Sequence, residues 1–186
     1  AELNEASPHR ATVVAQARPS EPVDIEVLRA IAAPVDGAVE IGRDAIVVVA
    51  SPDYRLRQEG GLVEAATLLA GPWSRNLWAL WSELPEAPRL GAPQVVAAPT
   101  EHAALEAARL GLGIALARTS EAAAALARHA LITPFAAQLD APDRYWAVAR
   151  GRSASTQHVF EWLTRRFGAQ SARQESAAGL ATAPRG

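Results

Sequence analysis

The segment Pro99-Thr100-Glu101-His102 has the residue types of an anion-binding turn. It follows an apolar run that predicts a buried strand, and it precedes a run that predicts a helix. In an α/β sheet, such a turn points backbone N–H groups and a hydroxyl into the crevice at the carboxyl ends of the strands. A carboxylate bound at a helix end gains about 0.3–1 kcal/mol from its partial charge. The alternative is that Thr100 only caps its own helix.

Two other places in the sequence carry side chains suited to binding. Arg118 and Thr119 follow a predicted strand and open the next helix, so Arg118 could pair with an anionic ligand or remain solvated. Trp73, Leu77 and Trp81 are spaced as one stripe along a helix. Tryptophans at this spacing usually pack in a core, which is the interpretation that we favour for Trp81. Trp73 could either pack or line a pocket.

The residues that enzymes and metal sites need are missing or badly spaced. The sequence has no cysteine, which excludes disulfides, thiolate nucleophiles and cysteine-based zinc sites. The four histidines, at positions 9, 102, 129 and 158, form no His-x-x-x-His pair. The run Gly111-Leu112-Gly113 begins like a dinucleotide-binding fingerprint, but the third glycine position holds Leu116 and the run leads from helix to strand. We therefore predict no metal site, no cofactor and no enzymatic activity.

The hydrophobic pattern predicts strands that alternate with helices, and hence an α/β fold with a mainly parallel sheet. Gly111 is expected to cap a helix at its C-terminus, and Gly113 to allow close packing where a strand begins. The predicted strands are Ala11 to Ala17, Ala45 to Ala50, Gln94 to Ala98, Gly113 to Ala117, Leu131 to Phe135 and Tyr145 to Ala149. The predicted helices are Asp24 to Ala32, Gly61 to Ala70, the stretch around Trp73 to Trp81, Thr100 to Leu110, Ser120 to His129 and Ser155 to Phe167, the last with Ser155 as its N-cap.

Composition bounds the class of protein. The chain has 186 residues, of which 49% are hydrophobic, enough for one ordinary domain or two small lobes with a core. The formal net charge of -2 does not mark a nucleic-acid-binding surface. No apolar run reaches the roughly 20 residues of a membrane helix, and no signal peptide opens the chain, so we predict a cytoplasmic protein without a membrane partner. Because methionine is absent, we expect the sequence to be part of a longer product.

Several of these segments, in this order, resemble the effector-binding domain of LysR-type transcription regulators. The resemblance covers about residues 44 to 167. It rests on the helix-to-strand run Ala107 to Leu116, the strand Leu131 to Phe135 with its proline, the strand and Ser-Pro turn within Asp44 to Tyr54, the tryptophans Trp78 and Trp81, the strand Tyr145 to Val148 and the helix segment Phe160 to Leu163.

The resemblance implies a two-lobed fold similar to that of periplasmic solute-binding proteins, with a small effector bound between the lobes. It also implies an attached winged helix-turn-helix that binds DNA, and assembly into dimers or tetramers. The helix-turn-helix is absent here, and the first lobe is expected to be incomplete. The expected divisions are a disordered segment 1–10, a partial first lobe 11–43, a second lobe 44–150, a helix 151–167 returning to the first lobe, and a disordered tail 168–186.

The residues that we predict to bind the effector combine the resemblance with the anion-binding turn. In the family's pattern, Ser51, Thr100 and the Arg118-Thr119 turn fall where the second lobe faces the cleft. The full predicted set is Ser51, Trp73, Thr100, Glu101, Arg118 and Thr119. Thr100 and Arg118 favour a carboxylate-bearing effector.

The sequence therefore predicts a non-enzymatic sensor domain whose ligand controls DNA binding by an attached domain. A periplasmic solute-binding protein would share the fold, but a signal peptide and two complete lobes would be expected. A truncated dimerisation module would associate without binding a ligand. An α/β enzyme would need a nucleophile, base or metal set that the sequence does not provide.

Overall fold

The computed structural model describes residues 23 to 181, with side chains described as far as residue 168. The segment 1–10 and the strand predicted at Ala11 to Ala17 lie outside these residues, as do residues 182–186. Within the described residues the chain forms nine strands and four helices, which confirms the α/β class.

The strands and helices are numbered in chain order. The strands are β1 (Ile25–Ala30), β2 (Val39–Ala50), β3 (Arg57–Glu59), β4 (Leu62–Glu64), β5 (Thr67–Ala70), β6 (Arg89–Gly91), β7 (Gln94–Ala97), β8 (Ile114–Arg118) and β9 (Gln138–Ala149). The helices are α1 (Ser74–Ser82), α2 (Glu101–Arg109), α3 (Thr119–Ala127) and α4 (Ala154–Ala181).

The chain divides into two compact units. Unit 2 is the continuous segment Asp44–Ala141, and unit 1 combines the described residues up to Arg43 with those from Pro142 onward. The predicted divisions fell after residues 43 and 150, whereas the structure divides the chain after Arg43 and after Ala141. The assignment of these units to the two lobes of the family stays a prediction.

Unit 2 is built on four strands in the order β2-β8-β5-β7. β5 runs parallel to both β7 and β8, while β2 runs antiparallel to β8. Consecutive residues of β2 enter opposite faces of the sheet: Ile46 and Val48 belong to one hydrophobic cluster, and Val47 and Val49 to another. This confirms that the uniformly apolar run is a strand covered on both faces.

Helices cover both of these faces. On one face, Trp78 and Trp81 of α1 pack into the first cluster. On the other, Ala104 and Ala108 of α2 and Ala122 of α3 pack into the second cluster. The carboxyl ends of β5, β7 and β8 each lead directly into one of these helices, so the three helices all start at the same edge of the sheet.

The two predicted glycine roles are confirmed. Gly111 has a φ of +77°, a conformation that favours glycine, and its N–H donates to the carbonyl of Ala108 at the end of α2. A Cβ on Gly113 would lie 2.5 Å from the carbonyl oxygen of Thr67 and 3.0 Å from Cγ of Leu69. Gly113 thus lets β8 approach β5 closely.

Unit 1 contains the pair formed by β1 and β9. The two strands run antiparallel from Ile25 opposite Ala149 to Ala30 opposite Arg144. The indole N–H of Trp146 donates to the carbonyl of Ala30 over 3.0 Å. At one end, Thr156 of α4 donates its hydroxyl to Asp24 over 3.0 Å.

The helix predicted at Asp24 to Ala32 is wrong, since most of this segment is β1. Val27, Leu28 and Ile31 have helical spacing, but Val27 is 51% exposed and Ile31 74% exposed, so they do not form a buried helical stripe. The segment instead gains six residue pairings with β9, and tertiary pairing outweighs a helical pattern of this length.

The helix predicted at Gly61 to Ala70 is also wrong, because the segment forms β4 and β5. Ala65 has a φ of +49° and breaks the run between the two short strands. β4 pairs with β3 and β6 in a three-stranded sheet, and β5 enters the larger sheet between β7 and β8. Val63 before this turn, and Leu68 and Leu69 after it, are all buried.

Four smaller expectations are corrected. β7 is an edge strand with exposed side chains, not a buried strand, and Val95 is 55% exposed. The strand predicted at Leu131 to Phe135 is a single bridge between Ile132 and Ala50. α4 begins one residue before Ser155, and the hydroxyl of Ser153 accepts the first-turn N–H of Thr156 over 3.0 Å.

The fourth correction concerns the predicted tail, because α4 continues past Phe167 to Ala181. The stretch after Gly168 is rich in alanine and also contains glutamine, arginine, glutamate and leucine, which all have high helix propensity. Each glycine costs a helix only about 1 kcal/mol, so the helix extends across Gly168 and Gly179.

Candidate functional site

The candidate site is the edge of unit 2 at which β5, β7 and β8 end. Because these strands are parallel, the N-termini of α1, α2 and α3 meet at this edge. Such edges are the usual ligand sites of open α/β sheets. Five of the six predicted site residues lie here: Trp73, Thr100, Glu101, Arg118 and Thr119.

Thr100 caps α2. Its hydroxyl oxygen accepts the N–H of Ala103 over 3.0 Å, and its backbone is extended, as N-cap residues require. Thr100 therefore caps its own helix, as one of the two interpretations of the sequence had it. The hydroxyl can still donate its own proton to a ligand, since it is both donor and acceptor.

Glu101 spans two of the helix N-termini. It is the first residue of α2, and its Oε1 atom accepts the N–H groups of Trp73, over 2.7 Å, and Ser74, over 3.3 Å. The carboxylate thereby caps α1, whose own N-cap residue, Trp73, offers no side-chain acceptor. A Cβ on Gly71 would collide with this carboxylate, so glycine at position 71 makes room for Glu101.

Arg118 is buried beneath Trp73. Its side chain is 6% exposed, and its guanidinium carbon lies 5.2 Å from the centre of the Trp73 ring. This is cation–π geometry, which is more favourable when the cation is desolvated. Of the two alternatives for Arg118, the solvated one is excluded. Trp73 covers the cation and also packs against the core, so its packing role is observed, and a role in lining a pocket stays a prediction.

A buried carboxylate that the sequence did not single out completes the edge. Asp44 is 6% exposed and accepts the N–H of Ser120 over 2.9 Å, the hydroxyl of Ser120 over 2.8 Å and the hydroxyl of Thr119 over 2.9 Å. Asp44 therefore caps α3. The only sequence signal was an aspartate directly before an apolar strand, and its importance depends on that strand being antiparallel to β8.

Ser51 lies at the opposite edge of the sheet. Ala50 pairs with Ile114, at the start of β8, whereas Arg118 at the end of β8 pairs with Ile46. Five residues of strand correspond to about 17 Å, so Ser51 is remote from the other five predicted residues. Its hydroxyl accepts the N–H of Asp53, and its N–H donates to the carbonyl of Ala108 at the end of α2.

The remaining tryptophans of α1 pack as core residues. Trp81 is fully buried, its indole N–H donates to the carbonyl of Ala137 over 3.1 Å, and its ring contacts those of Trp78 and Phe135 at 5.7 and 5.5 Å. The packing role that we favoured for Trp81 is confirmed. Trp78 is 6% exposed, and no described residue accepts its indole N–H.

Comparison with known proteins defines the class to which this site belongs. The family model for the LysR substrate binding domain matches residues 22–168, and the chain belongs to this family. No curated protein sequence matches the chain.

The fold is shared with solved effector domains of the same class. The effector domain of the transcriptional regulator AmpR of Pseudomonas aeruginosa is 24% identical, with 82% of this chain and 75% of that chain covered and a TM-score of 0.57. The AmpR effector-binding domain from Citrobacter freundii is 22% identical, with 78% and 75% covered and a TM-score of 0.57. At this identity the likeness establishes the fold, which is that of the periplasmic-binding-protein-like LysR effector domains.

None of the helices in the described part of the chain is long and apolar enough to cross a membrane.

Proposed function

We propose that this chain is the sensing domain of a LysR-type transcription regulator, and that a small carboxylate-bearing effector binds at the carboxyl edge of unit 2. The observation that supports this most directly is the convergence of three helix N-termini with the buried cation of Arg118. Backbone N–H groups at helix ends and a desolvated guanidinium both favour an anionic ligand.

The N-terminus of α2 is the part of this edge best suited to the carboxylate. α1 and α3 are capped by carboxylates of the chain, from Glu101 and Asp44, whereas the N-cap side chain of α2 is the neutral hydroxyl of Thr100. The first N–H groups of a helix have no partner within the helix, and we propose that those of Glu101 and His102 bind the effector carboxylate. The Thr100 hydroxyl adds a further donor.

Regulation follows if the effector binds more tightly to one of two states of the regulator. A ligand shifts such an equilibrium only by its difference in affinity for the two states. We propose that the shift alters DNA binding by an attached helix-turn-helix domain outside this sequence. The domain senses and does not catalyse, and its place is the cytoplasm, where the DNA is.

Self-association is part of the proposal. β7 is an edge strand of unit 2 and exposes Val95 and Val96, at 55% and 40%. Exposed apolar edge strands favour association with another chain. A homodimer or a tetramer would cover the exposed side of β7.

Calorimetry with small mono-, di- and tricarboxylates tests the proposal. Thr100→Ala is expected to weaken binding by about a hydrogen bond, roughly 0.5–1.5 kcal/mol or two- to tenfold in Kd. Thr133→Ala is the matched control, because Thr133 is exposed and follows Ile132, which pairs with the other end of β2. If no carboxylate binds, the proposed carboxylate site is overturned. Equal effects of the two substitutions would remove Thr100 from the site.

A further inference from the structure

Two of the three helix N-termini at the carboxyl edge of unit 2 are occupied by carboxylates of the chain itself. At α1, the Oε1 atom of Glu101 accepts the N–H groups of Trp73 and Ser74, over 2.7 and 3.3 Å. At α3, the Oδ1 atom of Asp44 accepts the N–H of Ser120 over 2.9 Å. A helix N-terminus carries about half an elementary positive charge, so one carboxylate is enough to neutralise it. Neither of these two helix ends is left for a ligand carboxylate.

Both internal carboxylates are fixed in place. The carboxylate of Glu101 fills the space beside Gly71 that a Cβ would otherwise occupy. Its contact to the N–H of Trp73 has the length of a charge-assisted hydrogen bond. Asp44 is only 6% exposed, and both of its oxygens accept hydrogen bonds from Ser120. A ligand could displace either carboxylate only by breaking these charge-assisted hydrogen bonds.

The start of α2 has donors for one further carboxylate. Thr100 satisfies two of the first N–H groups of this helix, because its hydroxyl accepts the N–H of Ala103 and its carbonyl accepts that of Ala104. The N–H groups of Glu101 and His102 come before these two and have no acceptor within the helix. Two adjacent donors match the two oxygens of a single carboxylate.

A second carboxylate on the same ligand would meet unfavourable surroundings at this edge. Glu101 and Asp44 already hold N–H groups that it would need at α1 and α3. It would also be repelled by both of these fixed negative charges. Against them, the buried guanidinium of Arg118 supplies one positive charge.

We infer that the effector is a monocarboxylate, and that Glu101 and Asp44 disfavour ligands with a second carboxylate. The inference rests on the proposed function, in which the effector carboxylate binds the N–H groups at the start of α2. Glu101 acts here without touching the ligand, as a fixed charge that occupies the neighbouring helix end. The rest of the effector therefore carries no further negative charge.

Matched probes test this inference on the 186-residue chain. Calorimetry near neutral pH compares succinate with succinamate, glutarate with glutaramate and phthalate with phthalamate. The two members of a pair have the same shape, and only the second carboxylate is replaced by a neutral amide. We expect at least one amide acid to bind about fivefold or more tightly than its dicarboxylate, because the amide is not repelled by the internal carboxylates.

Two variants assign the preference to Glu101. Glu101→Gln removes one internal charge with little change of shape and should reduce the preference for the amide acid to about twofold or less. Glu106→Gln removes a charge from the same helix and should leave the preference intact. The side chain of Glu106 is 42% exposed and pairs with Arg109, so solvent screens its charge.

The outcomes separate the two proposals. If every dicarboxylate that binds does so as tightly as its amide acid, or more tightly, the monocarboxylate inference is overturned and the carboxylate site remains. A preference that is the same in Glu101→Gln and in the unaltered chain overturns the role of Glu101. If no member of any pair binds, the carboxylate site and this inference are overturned together. The comparison within the unaltered chain decides the inference even if Glu101→Gln does not fold.

Discussion

Gly113 at the start of β8 gives the sharpest test of the packing in unit 2. A methyl group at this position would lie 2.5 Å from the Thr67 carbonyl oxygen and 3.0 Å from Cγ of Leu69. Favourable contacts between carbon atoms lie at about 3.5–4.0 Å, so β8 and β5 would have to separate by about 1 Å. That movement opposes the pairing of Leu68 with Ile114 and of Leu69 with Ala115.

The magnitude follows from two opposing contributions. Overpacking of this kind costs about 1–3 kcal/mol. Alanine in place of glycine recovers about 0.4–1 kcal/mol by restricting the unfolded chain. We therefore expect Gly113→Ala to lower the free energy of unfolding by roughly 1–2 kcal/mol. For a chain of this size that is about 2–8 °C in the melting temperature.

Gly168 provides the matched control, since it lies in α4 and a Cβ there would meet nothing within 4 Å. Gly168→Ala should stabilise the helix by about 0.5–1 kcal/mol, the opposite sign. Thermal and urea unfolding of both variants measure the effect. If Gly113→Ala melts at or above the temperature of the unaltered chain, β8 and β5 do not pack as the structure has them.

Three further predictions concern other parts of the fold. Thr100→Ala should lower the free energy of unfolding by about 1 kcal/mol through loss of the α2 cap, whereas Thr100→Ser should retain it; equal urea midpoints for all three chains would contradict the cap. Trp81→Phe removes a buried N–H donor from a carbonyl and should cost about 2 kcal/mol in urea unfolding, and an unchanged midpoint would contradict its burial. Burial tends to raise the pKa of Glu40, but hydrogen bonds and ion pairs with Arg43 and Arg144 outweigh it and hold the pKa below its ordinary value of 4.5. The charged form therefore stabilises the fold above about pH 4.5, and this contribution disappears as the pH falls through the lowered pKa. Glu40→Gln should then be less stable at pH 7 by about 1 kcal/mol or less, with melting curves that converge as the pH falls below the lowered pKa; a difference independent of pH would contradict the role of Glu40.

The cap on α2 changes what Thr100→Ala is expected to do. As a ligand donor alone, Thr100 could be removed with little effect on stability. Because its hydroxyl accepts the N–H of Ala103, the substitution should reduce both stability and effector affinity. The Thr100→Ser variant retains the hydroxyl, so it should preserve both stability and effector affinity.

The sequence predicted the elements whose local pattern agrees with their tertiary role. The run Ala45 to Ala50 is apolar at every position because both faces of β2 are covered. Thr100 and Gly111 mark the two ends of α2 through local capping chemistry. The segments Asp24 to Ala32 and Gly61 to Ala70 were misassigned because their strands depend on distant partners, which no local pattern shows.

The candidate site was predictable in residue type but not in arrangement. Arg118 and Glu101 were identified from their places after strands, and both lie at the expected edge. That Glu101 caps α1 depends on Gly71, 30 positions earlier, and that Asp44 caps α3 depends on the antiparallel direction of β2. The same direction places Ser51 at the far edge, which the resemblance alone did not indicate.

The measurement that tests the central claim most directly is an amide NMR titration of the 186-residue chain with pooled α-amino acids and small carboxylates. A ligand at the carboxyl edge of unit 2 should shift the amide signals of Trp73, Ser74, Glu101 and His102, where the N-termini of α1 and α2 meet. The signal of Ser51, at the opposite edge, should remain in place. Shifts centred on Ser51, or a spectrum unchanged by every probe, would contradict an effector site at this edge.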